Sequence, residues 1–537
     1  MTRPDLRRTF ARLFCLLLAL VCSASAAPTF DDYPRQAALN AIHYRLHLTL
    51  TENSEEIQAA TEILFEFNRD GVREIALDLD GLTVDQTTEA GREAKFTHRS
   101  GKLTIALAGS YKSGDRCLIG VKYHGRPTDG LIIRKNKFGD YAIFADNWPN
   151  RAHYWFPSID HPYDKATAEF LVTAPARFDV VANGRLIETR SLQNGAKLTH
   201  WSESVPIPVY CMVVGATDFA VVSLGEAKTP GDEFQVSAWL FPKDRVAGKD
   251  YGRAVQMVEF YSDLVGPYAY EKLALVQSST RFGGMENSSS IFFGENAFGE
   301  GTVAHEIAHQ WFGDSVTESD WHHLWLSEGF ATYFGHLFFE RADGRDKFIK
   351  LMLADKESYV QAYGKDPRPI YDPAITDLFR LLNANNYQKG GWVLHMLRHV
   401  MGDEKFFAGI RDYYRTYRDR NALTDDLRKV MEFHYGQPLD WFFRQWIYEP
   451  GWPVYDAVWK WDESAKELRL RVAQKQSPTI FRMPLDVEIS TGNRSQREVI
   501  QVSEREQTFT FKLTAKPHSV TLDPDEWVLK TLTLRSE

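Results

Sequence analysis

The sequence predicts a multidomain protein of the α+β class, with a β-sheet domain, then a mainly helical domain, then a smaller β domain. Three changes in periodicity predict this order. Apolar and polar residues alternate from about residue 44 to 225, apolar residues recur at helical spacing from about 250 to 450, and alternation returns beyond residue 453. A chain of 537 residues, of which 44% are hydrophobic, is large enough for several separate cores.

The N-terminal β domain is predicted over residues 27–235. Apolar side chains at every second position mark its strands, because such positions face the same side of a sheet. Turns that contain Gly or Asp-Gly separate the runs. The clearest runs are Tyr44 to Leu50, Ile63 to Phe67 and Ile75 to Leu79.

The helical domain is predicted over residues 236–452, with Asp403 to Tyr417 and Thr424 to His434 as its clearest helices. The segment Glu449-Pro450-Gly451-Trp452-Pro453 breaks both helix and strand and marks the next boundary. Residues 453–537 are predicted to form a small β-sandwich domain. Its strand patterns are Val458 to Trp461, Leu468 to Val472, Leu485 to Ile489 and Phe509 to Leu513.

A metal-binding pattern lies inside the helical domain. His305 and His309 enclose Glu306 in an H-E-x-x-H run, and Glu328 follows on a second short amphipathic segment, Trp325 to Phe334. Histidines at i and i+4 lie one helical turn apart on nearly the same face, so both can reach one ion. Two imidazoles and one carboxylate leave zinc a free position for water. We therefore expect one zinc ion per chain, held by His305, His309 and Glu328, with Glu306 as the general base.

The same run is also compatible with the polar face of an ordinary helix, since H-E-x-x-H occurs by chance. Its surroundings favour the metal site. An apolar stripe that includes Val303, Ile307 and Trp311 faces the core beside the two histidines. A histidine six residues after His309, the alternative third ligand, is excluded because that position is Ser315.

Four motifs together resemble the gluzincin aminopeptidases, the family that includes aminopeptidase N and leukotriene hydrolase. Their order and spacing agree with that family from about residue 40 to 455. One is the zinc pattern. The second is Gly283-Gly284-Met285-Glu286-Asn287, similar to the family motif G-[AG]-M-E-N, and the third is Tyr387-Gln388-Lys389-Gly390, similar to Y-x-K-G. The fourth is Trp155 to Pro162 with Lys165-Ala166-Thr167, similar to F-P-x-x-D-E-P followed by K-A. The resemblance implies a saddle-like N-terminal domain and a thermolysin-like catalytic domain.

The resemblance also implies roles for individual residues. In the family, the glutamate of G-x-M-E-N binds the free α-ammonium of the substrate, which corresponds to Glu286 here. The neighbouring residues of that motif would bind substrate as well; they are Gly283, Gly284, Met285 and Asn287. The tyrosine of Y-x-K-G corresponds to Tyr387, which would donate a hydrogen bond to the tetrahedral oxyanion.

Asp146 is a further candidate for the ammonium site. Relatives carry a Gln or Glu a dozen or so residues before D-E-P, and alignment on Pro149 places Asp146 at the Gln position. The alternative is an Asx-type turn before Pro149, and the sequence leaves the two open.

This chain departs from the family pattern at three motif positions and at its C-terminal end. His161 replaces the acidic residue of D-E-P, Ser327 replaces the usual Asn before the zinc glutamate, and Gly335 stands where relatives often carry a carboxylate near the metal. Many relatives continue into a large C-terminal helical domain, and this sequence ends at Glu537 without one. We expect a more open cleft, or one closed by oligomerisation.

The expected function is that of an exported, zinc-dependent aminopeptidase acting on peptides with a free N-terminus. Two alternatives remain open: an epoxide hydrolase, because leukotriene hydrolase shares this site, and a catalytically silent peptide-binding protein. The sequence does not reveal the preferred first residue, the physiological substrate or the oligomeric state.

The first 26 residues have the pattern of an export signal. Arginines precede the apolar run Leu13 to Val21, and Ala24-Ser25-Ala26 forms an A-x-A cleavage site. The apolar run is too short for a permanent membrane span. We expect secretion to a bacterial periplasm, through the general route or, given Arg7-Arg8, the twin-arginine route.

Charge and cysteine content bear on two further properties of the protein, nucleic-acid binding and disulfide formation. Removing the signal takes away a net charge of +3 and leaves about −12, with no basic stripe, which argues against nucleic-acid binding. Cys117 and Cys211 are the cysteines outside the signal. They would either form one disulfide or remain as two buried thiols.

Overall fold

A computed structural model of the chain describes residues 31–537 apart from residues 53, 194 and 493. The predicted signal peptide, residues 1–26, lies outside the described residues. Within the described part of the chain, no helix combines the length and the apolar content needed to cross a lipid bilayer.

The N-terminal region is rich in β-strands, as its alternating pattern predicts. In β1 (Leu39–Thr49), for example, Tyr44, Leu46 and Leu48 are buried while His47 is exposed. The other strands of the region are β2 (Ile57–Phe67), β3 (Glu74–Asp78), β4 (Thr83–Glu89), β5 (Arg92–Glu93), β6 (Phe96–Arg99), β7 (Lys102–Ala106), β8 (Arg116–Gly125), β9 (Leu131–Lys135), β10 (Tyr141–Ala145), β11 (Lys165–Pro175), β12 (Asp179–Ala182), β13 (Arg185–Ser191), β14 (Ala196–Pro208) and β15 (Val214–Thr217).

Three sheets organise these strands. The largest has the order β13-β14-β11-β1-β2-β8-β4-β5, and β1 pairs parallel with β11 and antiparallel with β2. Smaller sheets have the orders β12-β15-β10-β9 and β3-β7-β6. Cys117 and Cys211 are buried in this region as free thiols, so the chain forms no disulfide between them.

A five-stranded sheet connects the N-terminal region to the helical domain. Its order is β16 (Ala220–Thr229), β17 (Asp232–Leu240), β18 (Leu273–Ser278), β20 (Ser290–Gly294) and β19 (Gly284–Met285). The boundary predicted at residue 235 falls inside β17, which pairs with β16 on one side and with β18 on the other. The edge strand β19 pairs antiparallel with β20 and contacts the helix that carries the two histidines.

Helices dominate the next part of the chain, as predicted. They are α1 (Ala254–Leu264), α2 (Glu300–His309), α3 (Trp325–Asp343), α4 (Arg345–Tyr363), α5 (Gly390–Met401), α6 (Asp403–Tyr417), α7 (Thr424–Tyr435) and the short α8 (Asp440–Phe443). Short 3-10 helices occupy Ala152–Tyr154, Val209–Cys211, Pro242–Tyr251, Trp321–His323 and Leu378–Leu381, π-helical turns occupy Asn385–Lys389 and Arg444–Tyr448, and β21 (Val316–Glu318) pairs with β22 (Arg420–Ala422).

Helix α3 lies at the centre of the helical domain. It contacts α2, α4 and α5, and most of its side chains are buried. It therefore shows no clear amphipathic pattern, because neighbours cover it on several sides. The amphipathic run predicted from Trp325 to Phe334 is only its first half.

The C-terminal region is again built from strands. They are β23 (Val454–Asp462), β24 (Glu467–Gln474), β25 (Met483–Thr491), β26 (Arg494–Val502), β27 (Glu506–Lys512), β28 (Ser519–Leu522) and β29 (Thr531–Ser536). They form two sheets with the orders β27-β24-β23-β29 and β26-β25-β28. The predicted sequence of β domain, helical domain and small β domain is confirmed.

Candidate active site

Helices α2 and α3 bring the three predicted ligands together. The Nε2 atoms of His305 and His309 are 3.0 Å apart, and Glu328 Oε2 lies 3.1 Å from the first and 3.2 Å from the second. His305 and His309 lie one turn apart on α2, and Glu328 is in the first turn of α3. Three donor atoms that converge in this way suit a divalent ion that prefers nitrogen and oxygen ligands, as zinc does.

Further contacts orient His309. Its Nδ1 lies 3.0 Å from the carbonyl oxygen of Phe312 and 3.0 Å from Ser327 Oγ. A proton on Nδ1 donated to that carbonyl leaves the Nε2 lone pair free for a metal. Ser327, which the sequence shows only as a departure from the family pattern, therefore contacts a ligand directly.

Tyr387 lies on the other side of Glu328. Its Oη donates a 2.6 Å hydrogen bond to Glu328 Oε1, and its ring stacks on that of His305 at a centroid distance of 5.8 Å. Burial, followed by the negative charge of Glu328, raises the pKa of Tyr387 well above its usual value. The phenol therefore stays protonated and available as a donor.

Glu306 points into the pocket beside the glycines of β19. An alanine Cβ at Gly284 would lie 2.1 Å from Glu306 Oε1, so only glycine allows this approach. Carboxylate oxygens of Glu306 and Glu286 and a ring nitrogen of His309 all lie within 4.8 Å of one another. The predicted base and the predicted ammonium anchor thus flank the same histidine.

The electrostatics of this cluster favour a cation. Burial raises the pKa of Glu306 well above its usual value, with Glu286 and Glu328 adding to the shift, and it raises the pKa of Glu286 to about 7. For Glu328, burial works in the same direction, but the two imidazoles outweigh it and lower its pKa. Crowded, buried carboxylates of this kind are stabilised by a divalent ion and by a positively charged ligand.

The site opens into a pocket of about 550 Å³. Its walls include all three ligands, Glu306 and Tyr387. From the G-x-M-E-N motif they also include Gly283, Gly284, Met285 and Glu286. Asn287 is buried outside the wall, where its amide contacts the carbonyl of Met285.

Asp146 is not among the residues that line the pocket. It is buried, and Arg151 Nη2 donates a 2.6 Å hydrogen bond to its Oδ1. The backbone N–H of Arg281 lies 3.3 Å from its Oδ2. Asp146 is therefore engaged in holding two loops together.

Sequence reasoning missed several residues of the wall. Trp148 lies two positions after Asp146 and packs edge-to-face on Phe282, and both line the pocket. The sequence signal that pointed to Trp148 was its position beside Pro149, in the stretch that aligns with the family's ammonium-binding segment. His336 and Asp355 also line the pocket, and no motif contains them.

The fold and the site define a class. A β-rich domain precedes a helical domain in which an H-E-x-x-H helix and a following glutamate present three metal ligands, the arrangement of the gluzincin metallopeptidases. Residues 40–211 match the Peptidase M1 N-terminal domain, and residues 250–446 match the Peptidase family M1 domain. Together the two matches span more than half of the chain, which belongs to peptidase family M1.

Individual relatives agree with this assignment. The chain is 29% identical over 429 residues to Tricorn protease-interacting factor F2 of Thermoplasma acidophilum, covering 75% of this chain and 52% of the relative. It is 24% identical over 446 residues to the leucyl aminopeptidase of Saccharolobus solfataricus, covering 78% and 55%. The chain thus spans about half the length of these curated relatives.

A solved structure matches over nearly its whole length. The crystal structure of an M1 zinc metallopeptidase from Deinococcus radiodurans superposes with a TM-score of 0.69 at 25% identity. The match covers 79% of this chain and 96% of that one. The fold described above is therefore that of an M1 metallopeptidase.

Proposed function

We propose that this chain is a zinc-dependent aminopeptidase that removes the first residue of peptides with a free N-terminus. The observation that carries the proposal is the position of Glu286. Its carboxylate lies within 4.8 Å of donor atoms of Glu306 and the ligand His309, at the inner end of the pocket. An anion there can hold the α-ammonium of the residue whose own carbonyl reacts, so only the first peptide bond is presented.

The residues of the site divide the chemistry between them. His305, His309 and Glu328 would hold a zinc ion, which when bound would supply a Lewis acid for activating water and polarising the carbonyl. Glu306 removes a proton from the attacking water and delivers it to the leaving amine. The same carboxylate can do both because it flanks the ligands on the pocket side.

Tyr387 and Glu286 position the reacting groups. The phenol of Tyr387 donates to Glu328 in the absence of substrate and is close enough to the ligands to donate to a developing oxyanion instead. Glu286 fixes the ammonium by a charge-assisted hydrogen bond. Aminopeptidase activity is supported by the names of relatives such as the leucyl aminopeptidase and the probable aminopeptidase 2 of Sulfurisphaera tokodaii.

A panel of fluorogenic aminoacyl substrates tests the activity. We expect hydrolysis that a chelator abolishes and added zinc restores, with no hydrolysis of the same substrates after N-acetylation. Glu286→Gln should reduce the preference for free over acetylated substrates, because the charge that recognises the ammonium is gone. Equal cleavage of free and acetylated substrates by the wild type would refute the exopeptidase assignment.

Metal content and export are tested separately. We propose one zinc ion per chain, which elemental analysis of the purified protein measures. We also propose export with cleavage after Ala26, on the strength of the arginine-rich start, the apolar run and the A-x-A site. Protein that stays in the cytoplasm with residue 1 intact would contradict export, and periplasmic protein with residue 1 intact would contradict cleavage after Ala26.

A further inference from the structure

The pocket extends beyond the residues of the predicted site. There its wall is formed by residues from two helices, Gly335, His336 and Phe339 on α3 and Leu351 and Asp355 on α4. This part of the wall combines two apolar side chains with one histidine–aspartate pair. It differs from the inner end, where the wall is made by Trp148 and β19 with its flanking residues.

The positions of the two histidine ligands indicate in which direction a bound peptide would run along the pocket. His309 lies beside Glu286 and Glu306, whose donor atoms are within 4.8 Å of one of its ring nitrogens. His305 lies on the other side, where an alanine Cβ at Gly335 would be 3.5 Å from the His305 backbone nitrogen. A peptide whose ammonium is held at Glu286 and whose first carbonyl is at the ligands can extend past His305 toward Gly335 and His336.

The wall formed by α3 and α4 carries a hydrogen-bonded histidine–aspartate pair. His336 Nε2 lies 2.8 Å from Asp355 Oδ2, and the two side chains are 17% and 16% exposed. The hydrogen bond leaves Oδ1 of Asp355 available to a ligand. Within the described part of the chain, no lysine or arginine lines the pocket, so its charged wall is acidic apart from the histidines.

We propose that Asp355, oriented by His336, forms a subsite for the second residue of the substrate and selects peptides with lysine or arginine there. The inference rests on the proposed function. A long cationic side chain can pass between Phe339 and Leu351, which pack against its methylene groups, and place its charge at Asp355. A charge pair in a partly desolvated pocket distinguishes substrates by sign, because a like-charged side chain would be repelled.

Binding and turnover of matched peptides test the proposal. We would use three tripeptides that differ only at the second residue, Leu-Lys-Ala, Leu-Met-Ala and Leu-Glu-Ala, since Met matches the length of Lys without its charge. Their dissociation constants are measured by calorimetry with zinc-loaded Glu306→Gln protein, which holds the peptide without cleaving it. We expect Lys to bind roughly tenfold tighter than Met, and Glu more weakly than Met.

Asp355→Asn, made in the same Glu306→Gln background, is the decisive variant. It keeps the shape of the side chain and removes its charge, so the Lys-to-Met ratio should fall to about one. Glu357→Gln is the matched control, because Glu357 is exposed on the same helix two residues away. It should leave the ratio unchanged.

Two results would overturn the inference: no preference for Lys in the parent protein, or the same preference in Asp355→Asn. Failure of the proposed function would look different. In that case wild-type protein would bind the peptides with the predicted preference but leave all three uncleaved.

Discussion

Glu306 is the residue on which the proposed chemistry depends most directly. It faces the pocket across the bare backbone of Gly284, beside the ligand His309. Burial and the nearby carboxylates make this group more basic than a glutamate in water. That basicity matches the need to accept a proton from water and to release it to an amine.

Glu306→Gln should retain zinc and lose turnover by roughly 10²–10⁴-fold. The amide has the same shape but cannot accept the proton, and it is not one of the metal ligands. Elemental analysis and kcat on an aminoacyl substrate measure the two properties. Glu300→Gln, on the same helix but paired with Arg253 at its start, should keep both. Full turnover in Glu306→Gln would remove Glu306 from the mechanism.

Lys165 shows how the same fold buries a charge away from the site. Its Nζ donates to the backbone carbonyls of Asp314 and Ser315, 2.7 and 2.8 Å away, and so ties β11 to the segment that follows α2. Burial lowers the pKa of Lys165 to about 8. In the unfolded chain the amine has its ordinary value near 10.5.

The stabilising effect of Lys165 should therefore increase at alkaline pH. Between pH 8 and 10.5 the folded protein has released a proton that the unfolded chain keeps, so raising the pH favours the folded state, by at most about 1.4 kcal/mol per pH unit. The loss of Tm caused by Lys165→Met should be larger at pH 9.5 than at pH 7. Calorimetry of both proteins at the two pH values checks this, and an equal loss at both would contradict it.

At the scale of elements, glycines set the distance between α3 and α5. An alanine Cβ at Gly329 would lie 2.8 Å from the Cα of Gly390 and 3.1 Å from the carbonyl oxygen of Asn386. Both neighbours are backbone atoms, which cannot rotate aside. This contact joins the start of α3, which carries Glu328, to the π-helical turn that carries Tyr387.

Gly329→Ala should lower both stability and activity. Pushing backbone against backbone in a packed core typically costs about 1–3 kcal/mol, and the displacement would lengthen the Tyr387–Glu328 hydrogen bond. Thermal unfolding and kcat measure the two effects. Gly335→Ala is the stability control on the same helix, because its nearest contact would be an ordinary 3.5 Å. An unchanged Tm in Gly329→Ala would show that the helices separate freely.

At the scale of the whole molecule, the C-terminal β region packs directly on the helical domain. Trp527 stacks on His395 of α5 with ring centroids 4.6 Å apart, and on His399 at 5.2 Å. His395 Nε2 also lies 3.2 Å from the carbonyl oxygen of Glu526. The C-terminal region therefore packs on α5 through a residue, His395, whose ring also contacts Tyr333 of α3 at a centroid distance of 5.7 Å.

Trp527→Ala should loosen this contact and lower the Tm by several degrees. The variant removes the stacked ring from the interface and leaves the pocket residues in place, so KM should stay unchanged. Trp461→Ala is a suitable comparison, since Trp461 bonds Glu463 within the C-terminal region itself. A larger loss of Tm in Trp461→Ala than in Trp527→Ala would contradict this account of the interface.

Local patterns made much of this fold predictable. The helix predicted from Asp403 to Tyr417 has those bounds in the structure, because its apolar positions repeat at helical spacing along one buried face. Helix α3 was predicted only in part, since neighbours on several sides replace the amphipathic signal with continuous burial. The domain boundary near residue 235 also has no clear sequence signal, because β16 and β17 have the pattern of ordinary strands. Only the sheet that they form with β18 sets them apart from the strands before them.

The sequence by itself determined the donor chemistry, since the spacing of His305, His309 and Glu328 is set by the turn of one helix and the start of the next. It also supplied Glu306, Glu286 and Tyr387 through short motifs. Only the tertiary structure decided that Asp146 forms an ion pair with Arg151. It also decided that Trp148, His336 and Asp355 line the pocket. Asp146 and Arg151 are only five residues apart, but Trp148, His336 and Asp355 come from three separate segments, and packing determines which side chains become neighbours, which no local pattern records.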